Sequence, residues 1–216
     1  MRIGLVRHFR VEQAVPQGWK TAGELQAWRE RYDCAPISPA SVDLGPTRWA
    51  RCICSDAPRA LKTAEVIHSG PVEVTPLLRE FDFAEFRTGS LRLPVGAWKW
   101  VLRLAWTSGH GSQRAARDDF RQRVQAMAQM LDAETEPLLV VSHGGMMMHL
   151  ARELIRRGFA GPKLGVADHA KLYLYERDEA APASFQGGRI LSFICGAGLK
   201  KDESLQAERT EPRRLD

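Results

Sequence analysis

Three short apolar runs, Arg2–Arg7 (RIGLVR), Arg51–Ser55 (RCICS) and Leu138–Ser142 (LLVVS), end at polar groups and are separated by stretches with helical periodicity. Runs this short read as buried strands, and strands joined through helices lie parallel in one sheet. The chain is therefore expected to be α/β: a three-layer sandwich with a central mostly parallel sheet and helices on both faces. Leu25, Trp28 and Tyr32 fall on one face of a helix over 24–32. A second helix over 57–68 carries Pro58 in its first turn, with Ser55 or Asp56 as its cap. Phe120, Val124, Met127 and Leu131 mark a longer helix ending before Pro137, and a further helix covers 144–157. An edge strand is expected at 72–74, with two final strands at 171–175 and 190–194.

The 216 residues carry no internal repeat or low-complexity linker, so one domain over 1–216 is expected, with a helical cap excursion around 91–117 and a flexible tail over 200–216. In the excursion, Trp98, Val101, Leu102 and Ala105 share a face, but Trp100 and Leu104 make the other face apolar as well. The group Trp98, Trp100 and Trp106 has three readings: core, homodimer contact, or lid over a pocket. No apolar run approaches the roughly 18–20 residues of a membrane span, and the start of the chain lacks a secretory pattern. Cys34, Cys52, Cys54 and Cys195 form neither metal-type pairs nor a staple framework and read as reduced thiols, which points to a cytoplasmic protein. With 31 Lys+Arg against 26 Asp+Glu the formal charge is +5, which suits acidic ligands. The arginines are dispersed, so no nucleic-acid partner and no membrane association are expected.

In open α/β sheets, ligands bind outside the carboxyl ends of the strands. There the three runs place Arg7-His8, Ser55-Asp56 leading to Arg59, and Ser142-His143, with helices starting near Asp56 and Gly144. Arginine forks and helix N-termini favour a phosphoryl group. A histidine in that field can act as nucleophile. The segment Leu78-Arg79-Glu80-Phe81-Asp82-Phe83-Ala84-Glu85 supplies carboxylates flanked by aromatics for proton transfer, with Glu80, Asp82 and Glu85 all open candidates. No acidic cluster for Mg²⁺ and no phosphate-cradling glycine loop stands out, so no metal and no cofactor are expected. Arg7 and Arg59 are expected to lower the pKa of His8, giving a bell-shaped rate profile centred on mildly acidic to neutral pH.

The segments Leu5-Val6-Arg7-His8, Ser55 to Glu65, Leu78 to Phe83 and Val140 to Gly145, taken in order, resemble the histidine phosphatase superfamily, also called phosphoglycerate-mutase-like. The resemblance implies that His8 is phosphorylated, that Arg7 and Arg59 clamp the phosphate, that His143 is the second pocket histidine and that Glu80 is the proton donor. It implies a metal-independent phosphatase acting on a small phosphorylated substrate, with a phosphoprotein the less favoured choice. Two alternatives stay open: a phosphoglycerate-type mutase and a phospho-ligand-binding regulatory protein with weak catalysis. The family pattern of glycine, an acidic residue and Ser/Thr after Arg-His is replaced by Phe9, Arg10 and Val11, and Ala84 stands where a glycine follows the acid segment. Gln13 or Arg10 could take over the role of that hydroxyl toward the phosphate. His68, His110, His149 and His169 read as surface or structural residues, Met146 to Met148 as core filler, and Cys52 and Cys54 as packing on one strand face.

Overall fold

The computed structural model describes residues 1–83 and 88–178. In chain order its elements are β1 (Arg2–Arg7), β2 (Arg10–Val11), β3 (Trp19–Lys20), α1 (Ala22–Cys34), β4 (Ile37–Ser38), β5 (Arg51–Ser55), α2 (Pro58–Ile67) and β6 (Val72–Thr75). A 3₁₀ turn (Pro76–Leu78) follows, then β7 (Leu93–Pro94), α3 (Val95–Ser108), α4 (Gly111–Asp132), β8 (Leu138–Ser142), α5 (Gly144–Arg156) and β9 (Leu172–Glu176). The main sheet has the order β6-β5-β8-β1-β9, parallel except for β9, which runs antiparallel to β1.

Strand alternation decides which helix packs where, because successive side chains point to opposite faces. Ile3 and Leu5 of β1, Ile53 of β5, and Leu138 and Val140 of β8 join the apolar stripes of α4 and α5. Val6, Cys52, Cys54, Leu139 and Val141 point the other way and meet Ala60 and Ala64 of α2 together with Trp49. The two cores on either side of one sheet make the expected three-layer sandwich. All five residues of β8 are buried, as its position between two parallel neighbours requires. Burying each such Val or Leu contributes about 1.5–3 kcal/mol. Gly4 marks a close approach across β1: a Cβ there would lie 2.7 Å from Trp49 and 2.8 Å from Leu172.

Element ends follow local chemistry. α1 starts at a capping box in which Thr21 and Glu24 satisfy each other's backbone N–H groups. α2 opens on Pro58 as expected, but neither Ser55 nor Asp56 caps its N-terminal turn: the N-cap is Ala57, and Asp56 instead pairs with Arg79 at 2.5 Å. α3 stops at Gly109, whose φ of 70° is the left-handed conformation that ends helices. The tryptophans divide. Trp98 is core and donates Nε1–H to the Lys20 carbonyl at 2.7 Å, Trp106 packs against Phe81, Phe83 and Phe120, and Trp100 is 75% exposed. Cys52 and Cys54 are buried free thiols on one face, pushed up to about 12 and about 11 by burial. Among the described residues no helix is long and apolar enough to cross a membrane. The strand expected at 190–194, Cys195, Ala84, Glu85 and the tail lie outside the described residues.

Candidate active site

The strands β5, β8 and β1 lie side by side, so their carboxyl ends bring Ser55, His143 and His8 to one edge of the sheet. Arg7 pairs with Ser142 in register, and the His8 N–H donates to the Ser142 carbonyl at 3.0 Å, which continues the ladder one residue past β1. The rings of His8 and His143 stand 5.1 Å apart, edge to face, and are 3% and 1% exposed.

Burial and hydrogen bonding fix the state of His8. Its Nδ1 lies 2.7 Å from the Phe9 carbonyl oxygen, which can only accept, so Nδ1 carries the proton and Nε2 keeps a lone pair. Burial pushes its pKa down to about 3; the bond to Phe9 opposes this, while Arg59, His169 and Arg7 lower it further. The expected influence of the two arginines is present, but desolvation is the larger cause. His143 is held well below the ordinary histidine value by burial first, then by Arg59, His8, Arg7 and Arg29. Its Nε2 is 2.9 Å from the Ser55 hydroxyl.

Three buried polar atoms here have no hydrogen-bond partner among the described residues: Nε of Arg7, Nε of Arg59 and Nδ1 of His143. Buried polar groups are rarely left unpaired, so such a cluster calls for a polar occupant. The rest of each guanidinium is anchored. Arg7 Nη1 donates to the Ala167 carbonyl at 2.7 Å, and Arg59 Nη1 pairs with Asp33 at 2.7 Å while stacking over Tyr32. An arginine in the first turn of α2 opposes the helix dipole. The anionic partner that this placement demands is supplied by Asp33 within the protein itself.

The N-terminus of α5 is also served internally. The Glu80 carboxylate accepts N–H groups from Gly145 at 2.8 Å, Met146 at 3.0 Å and Phe81 at 3.0 Å. Gly145 makes this possible: a Cβ there would lie 2.2 Å from the Phe81 ring and 2.5 Å from Glu80 Oε1, whereas one on Gly144 would make an ordinary contact at 3.4 Å with the Arg7 guanidinium carbon. Gly145→Ala is therefore expected to displace Glu80 and Phe81, lowering turnover by about 100-fold, since small misplacements of reacting groups cost about that much. Steady-state kinetics beside circular dichroism checks this, with the fold retained.

Of the other carboxylate candidates, Asp82 is exposed and paired with Arg29 at 2.5 Å, and Glu85 lies outside the described residues. Phe9 is fully buried, and its N–H donates to the Thr63 hydroxyl at 2.9 Å; Val11 is buried in β2 and brings no hydroxyl. Arg10 is exposed on β2 and close enough to His169 to add to the effect of burial, which lowers the pKa of that ring. His169, read from the sequence as structural, lies beside His8: its ring is 5.1 Å away, and its Nδ1 is 2.7 Å from the His8 carbonyl oxygen. Among the described residues no group of three or more His, Cys, Asp or Glu is placed to hold a metal ion.

In three-dimensional comparison the chain is similar to a candidate alpha-ribazole-5'-P phosphatase from Escherichia coli, at 18% identity over 83% of this chain and 92% of that one, TM-score 0.50. It is also similar to the alpha-ribazole phosphatase of Shigella flexneri, at 20% identity over 83% and 92%, TM-score 0.49. A mycobacterial glucosyl-3-phosphoglycerate phosphatase matches at 20% identity over 80% and 91%, TM-score 0.49. At such identities the likeness is one of fold. No curated protein matches the chain in sequence. The profile of the histidine phosphatase superfamily (branch 1) matches residues 40–184, a stretch that starts beyond the unusual Phe9 to Val11. Because that match spans more than half of the chain, and the sandwich is the one its segments call for, this protein belongs to the histidine phosphatase superfamily, branch 1.

Proposed function

We propose that the chain is a phosphatase that hydrolyses phosphomonoesters through a phosphohistidine on His8. The observation that carries this reading is the cluster of three orphaned buried polar atoms, on Arg7, Arg59 and His143, beside a neutral histidine whose tautomer leaves Nε2 unprotonated. In the first step Nε2 attacks phosphorus, the ester P–O bond breaks, and the alcohol oxygen takes a proton from Glu80. In the second step water attacks phosphorus and gives its proton back to Glu80, the P–N bond breaks, and inorganic phosphate leaves. Arg7, Arg59 and His143 stabilise the charge on the equatorial oxygens, as fixed donors do best in a site shielded from water. The substrate partner is a small phosphorylated molecule.

Hydrolysis of an aryl phosphate, measured with and without chelator and in His8→Ala, tests the class: activity should survive chelation and vanish in the variant. Glu80→Gln should lower the rate for alkyl phosphates by about 100-fold or more and affect a good aryl leaving group much less. Equal losses for both would remove Glu80 from the acid role. A second reading, a phospho-ligand-binding protein, draws on Val11 supplying no hydroxyl and on Glu80 being tied to three backbone N–H groups. Vanadate or phosphate affinity without hydrolysis across a phosphomonoester panel would favour it.

A further inference from the structure

The apolar stripe of α1 has no core to enter. No residue of that helix is buried, and Leu25, Trp28 and Tyr32 belong to neither hydrophobic core. They line a cavity of about 350 Å³ together with Phe81, Trp98 and Leu102. Arg59 and Glu80 also line it; His8 and His143 do not.

That division fixes which part of a substrate the cavity can take. In an in-line displacement the attacking and leaving atoms lie on opposite sides of phosphorus. An alcohol whose phosphate is attacked by His8 carries its carbon skeleton away from His8, past the group that protonates its oxygen. Resting on the phosphatase reading above, we propose that this chamber holds the alcohol portion of the substrate and selects phosphomonoesters of bulky apolar alcohols, aromatic or aliphatic.

The polar groups around the chamber are largely taken. Arg59 is paired with Asp33, Arg29 with Asp82, Glu80 with backbone N–H groups and Gln26 with Glu30, which leaves Lys99 and the Tyr32 hydroxyl in an otherwise apolar wall. The many hydroxyls of a sugar would lose water there with few partners in exchange, whereas each methylene of an alkyl chain gains by leaving water.

The test is kcat/KM for unbranched alkyl phosphates from ethyl to octyl, with glycerol phosphate as the polar reference and an aryl phosphate as the control for hydrolysis itself. The value should rise by up to about fourfold per methylene until the chamber is filled, and glycerol phosphate should fall below propyl phosphate. Ala22 also lines the chamber; Ala22→Trp, which fills it, and Leu25→Asn, which makes it polar from a helix outside the core, should each flatten the series, lowering octyl phosphate far more than ethyl phosphate. A flat series, or a preference for glycerol phosphate, with the aryl phosphate still hydrolysed would overturn the proposal and leave the phosphatase reading standing. Equal losses on ethyl and octyl phosphate in both variants would also overturn it. No hydrolysis of any ester would instead sink the phosphatase reading on which it rests.

Discussion

His8→Asn is expected to lower kcat/KM on phosphomonoesters by about 10⁴-fold or more, the scale on which nucleophile replacements act in enzymes that form covalent intermediates. Asparagine keeps an N–H near the position of the imidazole Nδ1–H that meets the Phe9 carbonyl at 2.7 Å, so folding should be preserved while the nucleophilic nitrogen is removed. The wild-type protein, quenched in the steady state, should carry an acid-labile, alkali-stable phosphoryl label on His8, and the variant should carry none. His143→Asn should lower the rate without abolishing the label, because in the proposed mechanism that ring stabilises the phosphoryl oxygens and forms no bond to phosphorus. A label retained in His8→Asn would move the nucleophile elsewhere, with His143 the next residue to test.

The second large effect is a loss of stability in mild acid. His8 is pushed down to about 3 mainly by burial, and His143 is held well below the ordinary value for the same reason, with Arg59 adding to both. Half-buried His149 and His169 are lowered too, again chiefly by burial. In the unfolded chain each would titrate near 6.5. Between that value and the folded value the unfolded state binds protons that the folded state does not, so stability increases with pH across the window. The stabilisation is complete above about pH 7 and falls as pH drops below about 6.5, by about 1.4 kcal/mol per pH unit for each deeply buried histidine. His8 alone removes about 2 kcal/mol by about pH 5 and His143 acts in the same direction, a sizeable share of the 5–15 kcal/mol typical of a domain.

Thermal unfolding followed by circular dichroism from pH 8 to 4.5 should show Tm falling steeply below about pH 6.5, and a double His8→Asn, His143→Asn variant should flatten that fall. Burial raises Asp132, but Arg177 and Arg157 more than offset it, and Glu153 is lowered by Arg156 and Arg157 against burial. These carboxylates lose their contributions only as pH falls through the carboxylate range, so the two causes separate on the pH axis. A Tm unchanged between pH 7.5 and 5 would contradict the burial of both rings. The same state of His8 bears on rate. Because kcat/KM reports the free enzyme, protonation of this nucleophile should not limit activity until far below neutrality, and an acid limb near pH 6 would have to come from the substrate or from unfolding.

Periodicity in the sequence was enough to place the sheet strands at Arg2–Arg7, Arg51–Ser55 and Leu138–Ser142, since buried parallel strands are short, apolar and nearly continuous. Their polar last residues also announced His8, His143 and Arg59, because a strand end that stops at a charge or an imidazole is a local signal. Three features depended on tertiary structure. Asp33 meets Arg59 only because the last turn of α1 reaches the start of α2. Glu80 meets the start of α5 only because Gly145 admits it, so the acid segment and the His143 motif form one unit although Glu80 and Gly145 are 65 positions apart in the chain. His169 precedes the last described strand, and nothing local marks it. Because β9 runs antiparallel to β1, its beginning lies at the same sheet edge as the ends of the parallel strands, which sets His169 beside His8. The chain by itself determined which polar residues stand at the strand ends and the chemistry their types allow; only the packed sheet decided which of them meet, because strand order and direction are set by contacts far apart in sequence.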